Sequence, residues 1–239
     1  MRDKKIVDLV NTCWSDLQEA RFILENNPSL VYERTSIDET ALMLLLRWYS
    51  SEQYEISQHI NAIKLLLDFG ADINASNGCG SNSVHNAILS REIEVVKYLI
   101  SKGADINPEY GFIGHSTLQH GILSNDIALV KYLLENGADI NAHDDFGETP
   151  LHMTAAKDSK IEFTKLLIHH GADVNAINDF GYTPLDEAYS EGSKLNIGYL
   201  IDAEASINKI TWDDIPNEIY KEEAYMELLK PLLEKNNAK

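Results

Sequence analysis

The chain has little cysteine, and it has no long apolar segment. Cys13 and Cys79 are its only cysteines, too few for a framework of several disulfides or for a cysteine-rich zinc site. The longest apolar run, residues 41–46, is far shorter than the ~20 residues that span a bilayer. No apolar run of about seven residues follows the basic N-terminus, so we expect no signal peptide. These absences predict a cytoplasmic protein that needs no oxidising compartment, while export by another route stays open.

Positive charge is also scarce. Lys and Arg number 20 against 38 Asp and Glu, which leaves a formal net charge of −18. Such a surface repels the phosphates of nucleic acids and of anionic membranes, so we expect neither as a partner. A basic protein would be attracted to the same surface at low salt. Apolar residues make up 44% of the chain and charged residues 24%, as in ordinary globular proteins, so we expect a folded core.

A five-residue segment recurs along the chain at intervals of 33 or 34 residues. Its full form is Gly-Ala-Asp-Ile-Asn, the fourth copy has Val in place of Ile, and the fifth is the decayed form Glu-Ala-Ser-Ile-Asn. Copies at so constant a period indicate a repeat protein. The copies lie at residues 70–74, 103–107, 137–141, 171–175 and 204–208.

A second motif precedes each copy and predicts the start of a helix. In its clearest form, Thr-Pro-Leu-His, Thr149 is expected to cap a helix and Pro150 to take the first helical position. The helix is predicted to end at Ala155 or Ala156. The motif lies at residues 149–152 and, as Thr-Pro-Leu-Asp, at 183–186, with weaker forms at 40–43, 82–85 and 116–119.

The second half of each unit predicts another helix and a loop. Apolar residues between positions 161 and 168 have helical spacing. Gly171 suits the left-handed residue that ends a helix, and the Asp- and Asn-rich residues 172–180 predict an extended loop. Each unit is therefore predicted as helix–turn–helix–loop. Since neither helix can bury its apolar face alone, the units must stack.

These motifs resemble the ankyrin repeat, with its Thr-Pro-Leu-His start, leucine-rich second helix and Gly-Ala-Asp-x-Asn end. The resemblance implies an all-α ankyrin-repeat solenoid over residues 35–208, with loop tips and first helices on a concave side. Residues 1–34 are expected to form a degenerate N-terminal capping repeat, and residues 209–239 a C-terminal capping helical segment. About nine extra residues near 47–59 lengthen the unit that starts at Thr40.

No catalytic or metal-binding pattern emerges from the sequence. His85 and His152 occupy the histidine position of the repeat and are expected to be buried and bonded to nearby backbone. His169 and His170 point about 100° apart on a helix and are poor joint metal ligands. Cys79 has no base beside it, and the paired carboxylates are interpreted as solvated faces. We therefore predict no metal, no cofactor and no enzymatic activity.

The remaining candidates lie on the surface that the resemblance assigns to partner binding. Phe112, Phe146 and Phe180 lie at successive loop tips, where a row of exposed aromatics would anchor a partner. The alternative is that each phenylalanine merely packs its own loop. Residues 171–204 are the most acidic segment, which favours a basic partner there, and the alternative is charge that serves solubility. The predicted partner-binding residues are Ile37, Glu39, Trp48, Phe112, Ile113, His115, Asp145, Phe146, Glu148, Asp179, Phe180, Tyr182 and Glu191.

The sequence thus predicts a non-enzymatic protein–protein interaction module that is monomeric when unbound. A narrower alternative is an inhibitor or immunity-type protein that neutralises a basic toxin or enzyme. A second alternative is an unrecognised enzyme, with its chemistry in the insertion near residues 47–59 or in the irregular C-terminus. The resemblance also makes the repeat asparagines, such as Asn74 and Asn141, candidate substrates of an asparagine hydroxylase.

Overall fold

The structure is a computed structural model that describes residues 2–47, 55–108 and 114–208, together with residues 227, 230–232 and 234. Most of the insertion near residues 47–59 and almost all of the predicted C-terminal segment 209–239 lie outside the described residues. The chain divides into two compact units, Met1–Ile113 and Gly114–Lys239. Among the described residues, every regular element is a helix, so the predicted all-α fold is confirmed.

The described residues of the first unit form three successive helix pairs. Within its described residues a short 3-10 turn, Pro28–Val31, follows the first pair. The first helix of each pair is packed against the second, as the repeat pattern predicts. The helices are α1 (Arg2–Ser15), α2 (Leu17–Asn26), α3 (Ala41–Arg47), α4 (Ile56–Asp68), α5 (Ser83–Leu89) and α6 (Ile93–Ser101).

The second unit continues the same pattern. A 3-10 turn, Asp158–Lys160, joins the helices of its middle pair. The helices are α7 (Thr117–Leu123), α8 (Ile127–Glu135), α9 (Pro150–Ala155), α10 (Ile161–His169), α11 (Pro184–Ser190) and α12 (Lys194–Asp202). Within the described ranges, no helix is both long and apolar enough to cross a membrane.

The first helices α5, α7, α9 and α11 begin at reciprocal capping interactions, as the Thr-Pro-Leu-His motif predicts. Thr149 precedes α9, and its backbone N–H donates to Nδ1 of His152 at 3.2 Å. Because Nδ1 accepts, the proton is on Nε2, which donates to the carbonyl of Tyr182 at 3.0 Å. His85 and His152 are 0% and 1% exposed, which confirms their predicted structural role. In α11 the carboxylate of Asp186 replaces the histidine and accepts the N–H of Thr183 at 2.8 Å.

Asparagine side chains join successive loops. The side-chain oxygen of Asn74 accepts the backbone N–H of Asp105 at 2.7 Å. Asn141 accepts the N–H of Asp173 at 2.9 Å, and Asn175 accepts the N–H of Ser206 at 2.7 Å. Each bond reaches the corresponding loop one repeat further along the chain, so the repeat period is set by side chains as well as by helix packing.

The N-terminal residues form the predicted helix pair but differ from the prediction in detail. Ile6, Leu9 and Val10 of α1 are fully buried, as their spacing indicates. The second expected helix forms as α2, although the structure exposes 59% of Phe22, one of the apolar residues that indicated it. In α2 only Ala20 and Leu24 are buried. Phe22 is two residues from each of them, and residues two apart lie on opposite sides of a helix.

The chain ends its second helices in a left-handed conformation, even where the glycine is lost. Gly171 has φ 89° and Glu204, at the equivalent position of the decayed copy, has φ 62°. A residue with a Cβ atom pays roughly 1 kcal/mol for this conformation. A Cβ atom at Gly171 would meet no other atom within 4 Å. A substitution there therefore measures the free-energy cost of the backbone conformation without a steric clash.

Removing the side chain at position 204 and adding one at position 171 are therefore expected to shift the free energy of unfolding in opposite directions. Glu204→Gly should raise the free energy of unfolding by up to about 1 kcal/mol, and Gly171→Ala should lower it by a similar amount. Urea unfolding followed by circular dichroism measures both changes. An unchanged midpoint for Glu204→Gly would contradict the strain assigned to this position.

The buried His59 predicts a loss of stability in acid. Its ring lies 4.8 Å from the ring of Trp14, centroid to centroid, and is 0% exposed. Burial lowers the pKa of His59 from 6.5 to about 4, while a backbone hydrogen bond with Leu45 acts in the opposite direction. Since the unfolded chain binds this proton more readily, the contribution to stability is complete above pH 6.5 and is lost as the pH falls towards 4.

We expect His59→Leu to remove this part of the pH dependence. Between pH 7 and pH 4.5 the free energy of unfolding of the variant should fall by about 2 kcal/mol less than that of the wild type. Urea unfolding at a series of pH values provides the two curves. Parallel curves over this range would show that His59 titrates in the folded protein much as it does in the unfolded chain.

Candidate protein-binding surface

Four loop tips share one construction, in which the side chain of the first residue accepts the backbone N–H of the fifth and, in three of the four, that of the third as well. In the tip 144–148, Oδ1 of Asp144 accepts the N–H groups of Phe146 at 2.9 Å and Glu148 at 3.0 Å. Asn178 does the same for Phe180 and Tyr182, at 3.1 and 2.9 Å. The four tips are residues 35–39, 77–81, 144–148 and 178–182. A fifth tip, with Phe112 and Ile113, lies outside the described residues.

This construction exposes the third residue of every described tip. Ile37 is 59% exposed, Phe146 52% and Phe180 54%, and the equivalent Cys79 is exposed as well. The rings of Phe146 and Phe180 stack with their centroids 6.1 Å apart and their planes 24° apart. The two rings therefore pack against each other, and about half of each side chain stays open to solvent.

The backbone holds the two phenylalanine tips at this spacing. The N–H of Asp179 donates to the carbonyl of Phe146 at 3.0 Å. Gly147 permits the approach, because a Cβ atom there would lie 2.8 Å from the backbone nitrogen of Asp179. Its φ of 73° is also one that few residues other than glycine adopt. The aromatic pair is thus positioned before any partner arrives.

A cluster of carboxylates lies near the aromatic pair. Burial raises the pKa of Glu148, and the carboxylates of Asp144 and Glu187 raise it further. Burial also raises the pKa of Glu187, whereas a hydrogen bond from Asn178 at 3.1 Å opposes this shift. In both residues burial is the main cause of the shift, and neighbouring carboxylates add to it. Among the described residues, no group of three His, Cys, Asp or Glu side chains is placed to hold a metal ion.

Glu187 was missed by the sequence analysis, although a signal for it was present. It lies one helical turn before Glu191, and residues four apart share a face of a helix. Because Glu191 was assigned to the binding surface by its position in the repeat, Glu187 could have been assigned with it. The structure leaves Glu191 exposed and Glu187 partly buried.

The structure exposes six of the ten described residues that the sequence assigned to partner binding. His115 is partly buried, with Nε2 3.7 Å from a carboxylate oxygen of Asp144, and Tyr182 is also partly buried. Trp48, like Phe112 and Ile113, lies outside the described residues. Those that the structure exposes are Ile37, Asp145, Phe146, Asp179, Phe180 and Glu191.

Glu39 is not one of the exposed residues of the predicted surface. It is 3% exposed, and its Oε1 atom pairs with the guanidinium of Arg47 at 2.8 Å. It occupies the fifth position of its tip, where the backbone N–H turns inward to bind Oγ1 of Thr35 at 3.1 Å. Glu39 therefore lies beneath its tip and not among the exposed residues of that tip.

Comparison with known families agrees with the repeat pattern. One family model of ankyrin repeats, in three copies, matches residues 118–211, and another, of many copies, matches residues 52–100. None of the curated proteins compared matches the chain. Ankyrin repeats are generally protein–protein interaction modules and typically non-enzymatic. With its capped first helices, left-handed helix ends and bridging asparagines, the chain belongs to the ankyrin repeat family.

Proposed function

We propose that the chain binds a basic partner protein through the loop tips of its second unit. Phe146 and Phe180 are the apolar anchors, and the surrounding carboxylates select positive charge. The observation that carries the proposal is the stacked aromatic pair, which is half exposed at the tips of two neighbouring loops. Aromatic residues in such positions supply much of the binding free energy at protein interfaces.

The construction of the tips supports a role in binding. In each of the two tips the side chain of the first residue accepts two backbone N–H groups, and the N–H of Asp179 joins the tips by donating to the carbonyl of Phe146. A partner therefore loses little free energy in ordering these loops. A surface that is ordered before binding keeps more of the free energy that is gained from the area it buries.

The electrostatics support a basic partner in particular. The raised pKa values of Glu148 and Glu187 indicate repulsion within the cluster as well as burial. A lysine or arginine side chain from a partner would offset that repulsion. The net charge of −18 would also speed the encounter at low salt.

Removing both aromatic anchors is expected to weaken partner binding by at least about 30-fold. The test uses the tagged full chain, lysate of the source cells, and mass spectrometry to identify the captured protein. The affinity of that purified protein is then measured for the wild type and for Phe146→Ala/Phe180→Ala. A matched control is Phe22→Ala/Leu195→Ala, which removes two apolar side chains of similar exposure, 59% and 56%, from α2 and α12.

The proposal is contradicted if the aromatic double variant binds as tightly as the wild type. Circular dichroism must show unchanged helical content in both double variants. Raising the salt from about 50 to about 500 mM should weaken binding, because charge attraction is screened over this range. A partner insensitive to salt would contradict the selection of positive charge. Measuring the captured protein's own activity then distinguishes an inhibitor from an adaptor.

A further inference from the structure

A small cavity lies in the first unit. It is at the repeat positions that carry Phe146 and Phe180 in the second unit. Its volume is about 300 Å³, at the small end of the range for ligand pockets. Two tip residues, Ile37 and Cys79, correspond to Phe146 and Phe180 in the second unit. The residues that line it include Ile37, Glu39, Arg47, Cys79, Asn86 and Leu89.

Two buried polar atoms, which belong to residues that line this cavity, have no hydrogen-bond partner. They are Oε2 of Glu39 and Nδ2 of Asn86, and each residue is 3% exposed. A buried polar atom that lacks a partner typically costs about 1–3 kcal/mol. The cavity thus offers one unfilled acceptor and one unfilled donor, which a ligand with the complementary pair would satisfy.

The charge of the cavity favours a neutral ligand. The other oxygen of Glu39 already pairs with Arg47 at 2.8 Å, so the carboxylate is balanced by one positive charge. An incoming lysine or arginine would meet the guanidinium of Arg47, and an acidic side chain would meet the carboxylate. A neutral group that both donates and accepts avoids both repulsions.

The rim of the cavity favours a ligand with an apolar stem. Ile37 and Leu89 are 59% and 54% exposed, so methylene groups passing between them would be covered. A glutamine side chain combines such a stem with a carboxamide, which has both N–H donors and a carbonyl acceptor. Leucine or methionine would fit the rim but leave Glu39 and Asn86 without partners.

We propose that this cavity binds the carboxamide of a glutamine residue in the partner protein. The N–H₂ group donates to Oε2 of Glu39, and the carbonyl accepts from Nδ2 of Asn86. The inference rests on the proposed function, since it assigns the ligand to a protein partner. It concerns a different unit of the chain from the phenylalanine tips, so the two can fail separately.

Cys79 supplies a native reporter for occupancy of the cavity. It lines the cavity and is exposed, whereas Cys13 is buried. Iodoacetamide should therefore label Cys79 in the folded full chain, and a bound ligand should slow the labelling. Cys79→Ser identifies any labelling that arises elsewhere.

The probes are blocked tripeptides, acetyl-Ala-Xaa-Ala-amide, in which Xaa is glutamine, methionine, lysine or glutamate. We expect the glutamine peptide to slow the labelling of Cys79 at concentrations on the order of 10 mM or below, as befits a single weak contact. Methionine has a similar length without the amide, and should need about 10-fold more peptide for the same effect. All four peptides carry the same backbone amides, so the comparison isolates the side chain.

Two variants and one matched control connect the effect to the unpartnered atoms. Glu39→Gln puts an N–H₂ group in place of the free acceptor, because its remaining oxygen faces Arg47, and should weaken protection by glutamine about 10-fold. Asn86→Leu removes the donor and should weaken it similarly; it serves as a second test if Glu39→Gln fails to fold. Glu25→Gln, an exposed carboxylate in α2 that does not line the cavity, should leave protection unchanged.

Each other outcome overturns the proposal in a defined way. Protection by the lysine peptide in preference to glutamine would mean a cation site. Equal protection by glutamine and methionine would mean an apolar pocket that ignores the two polar atoms. Protection by no peptide would mean that the cavity holds only solvent. If these results occur while Phe146→Ala/Phe180→Ala still abolishes partner binding, the cavity assignment fails and the proposed function stands.

Discussion

In three of the described repeats, the closing asparagine controls how one loop sits against the next. Its side-chain oxygen accepts a backbone N–H from the following repeat at 2.7–2.9 Å, as Asn74, Asn141 and Asn175 show. A helix pair of this size cannot bury its apolar face alone and must be stacked. Packing alone tolerates small shifts between neighbours, whereas a hydrogen bond to a specific N–H does not. The asparagines therefore fix the register of the loops from which the tips project.

The proposed function depends on that register. The tips that begin at Asp144 and Asn178 expose their third residue because the side chain of the first residue binds the backbone of the third and fifth. Equal spacing then brings equivalent residues of neighbouring repeats together, and in the second unit the pair is Phe146 and Phe180. The first unit uses the same positions for Ile37 and Cys79, which border a cavity with a different chemistry. One backbone arrangement thus presents two surfaces, and the side chains at the third and fifth tip positions decide what each can bind.

Much of the fold was predictable from the sequence because its signals are local. Thr149 and Pro150 define the start of α9, and Gly171 defines the end of its repeat, through backbone preferences that depend on few neighbours. Whether a given side chain is buried or exposed was less predictable. The burial of Glu39 depends on how its tip packs over Arg47, and the exposure of Phe22 depends on which face of α2 meets the other helices. Position in the repeat predicts where a residue lies along the chain, but its burial is decided by contacts with other elements.

The most direct test of this account is amide hydrogen exchange in the free full chain, measured by NMR. The N–H groups of Asp173, Asp179 and Ser206 belong to exposed residues, yet each donates a hydrogen bond to a neighbouring loop. The account predicts that all three exchange far more slowly than an unstructured peptide, because the loops are locked together before a partner binds. Exchange at the unstructured rate would show that the loops move independently, and would contradict a binding surface that is already arranged.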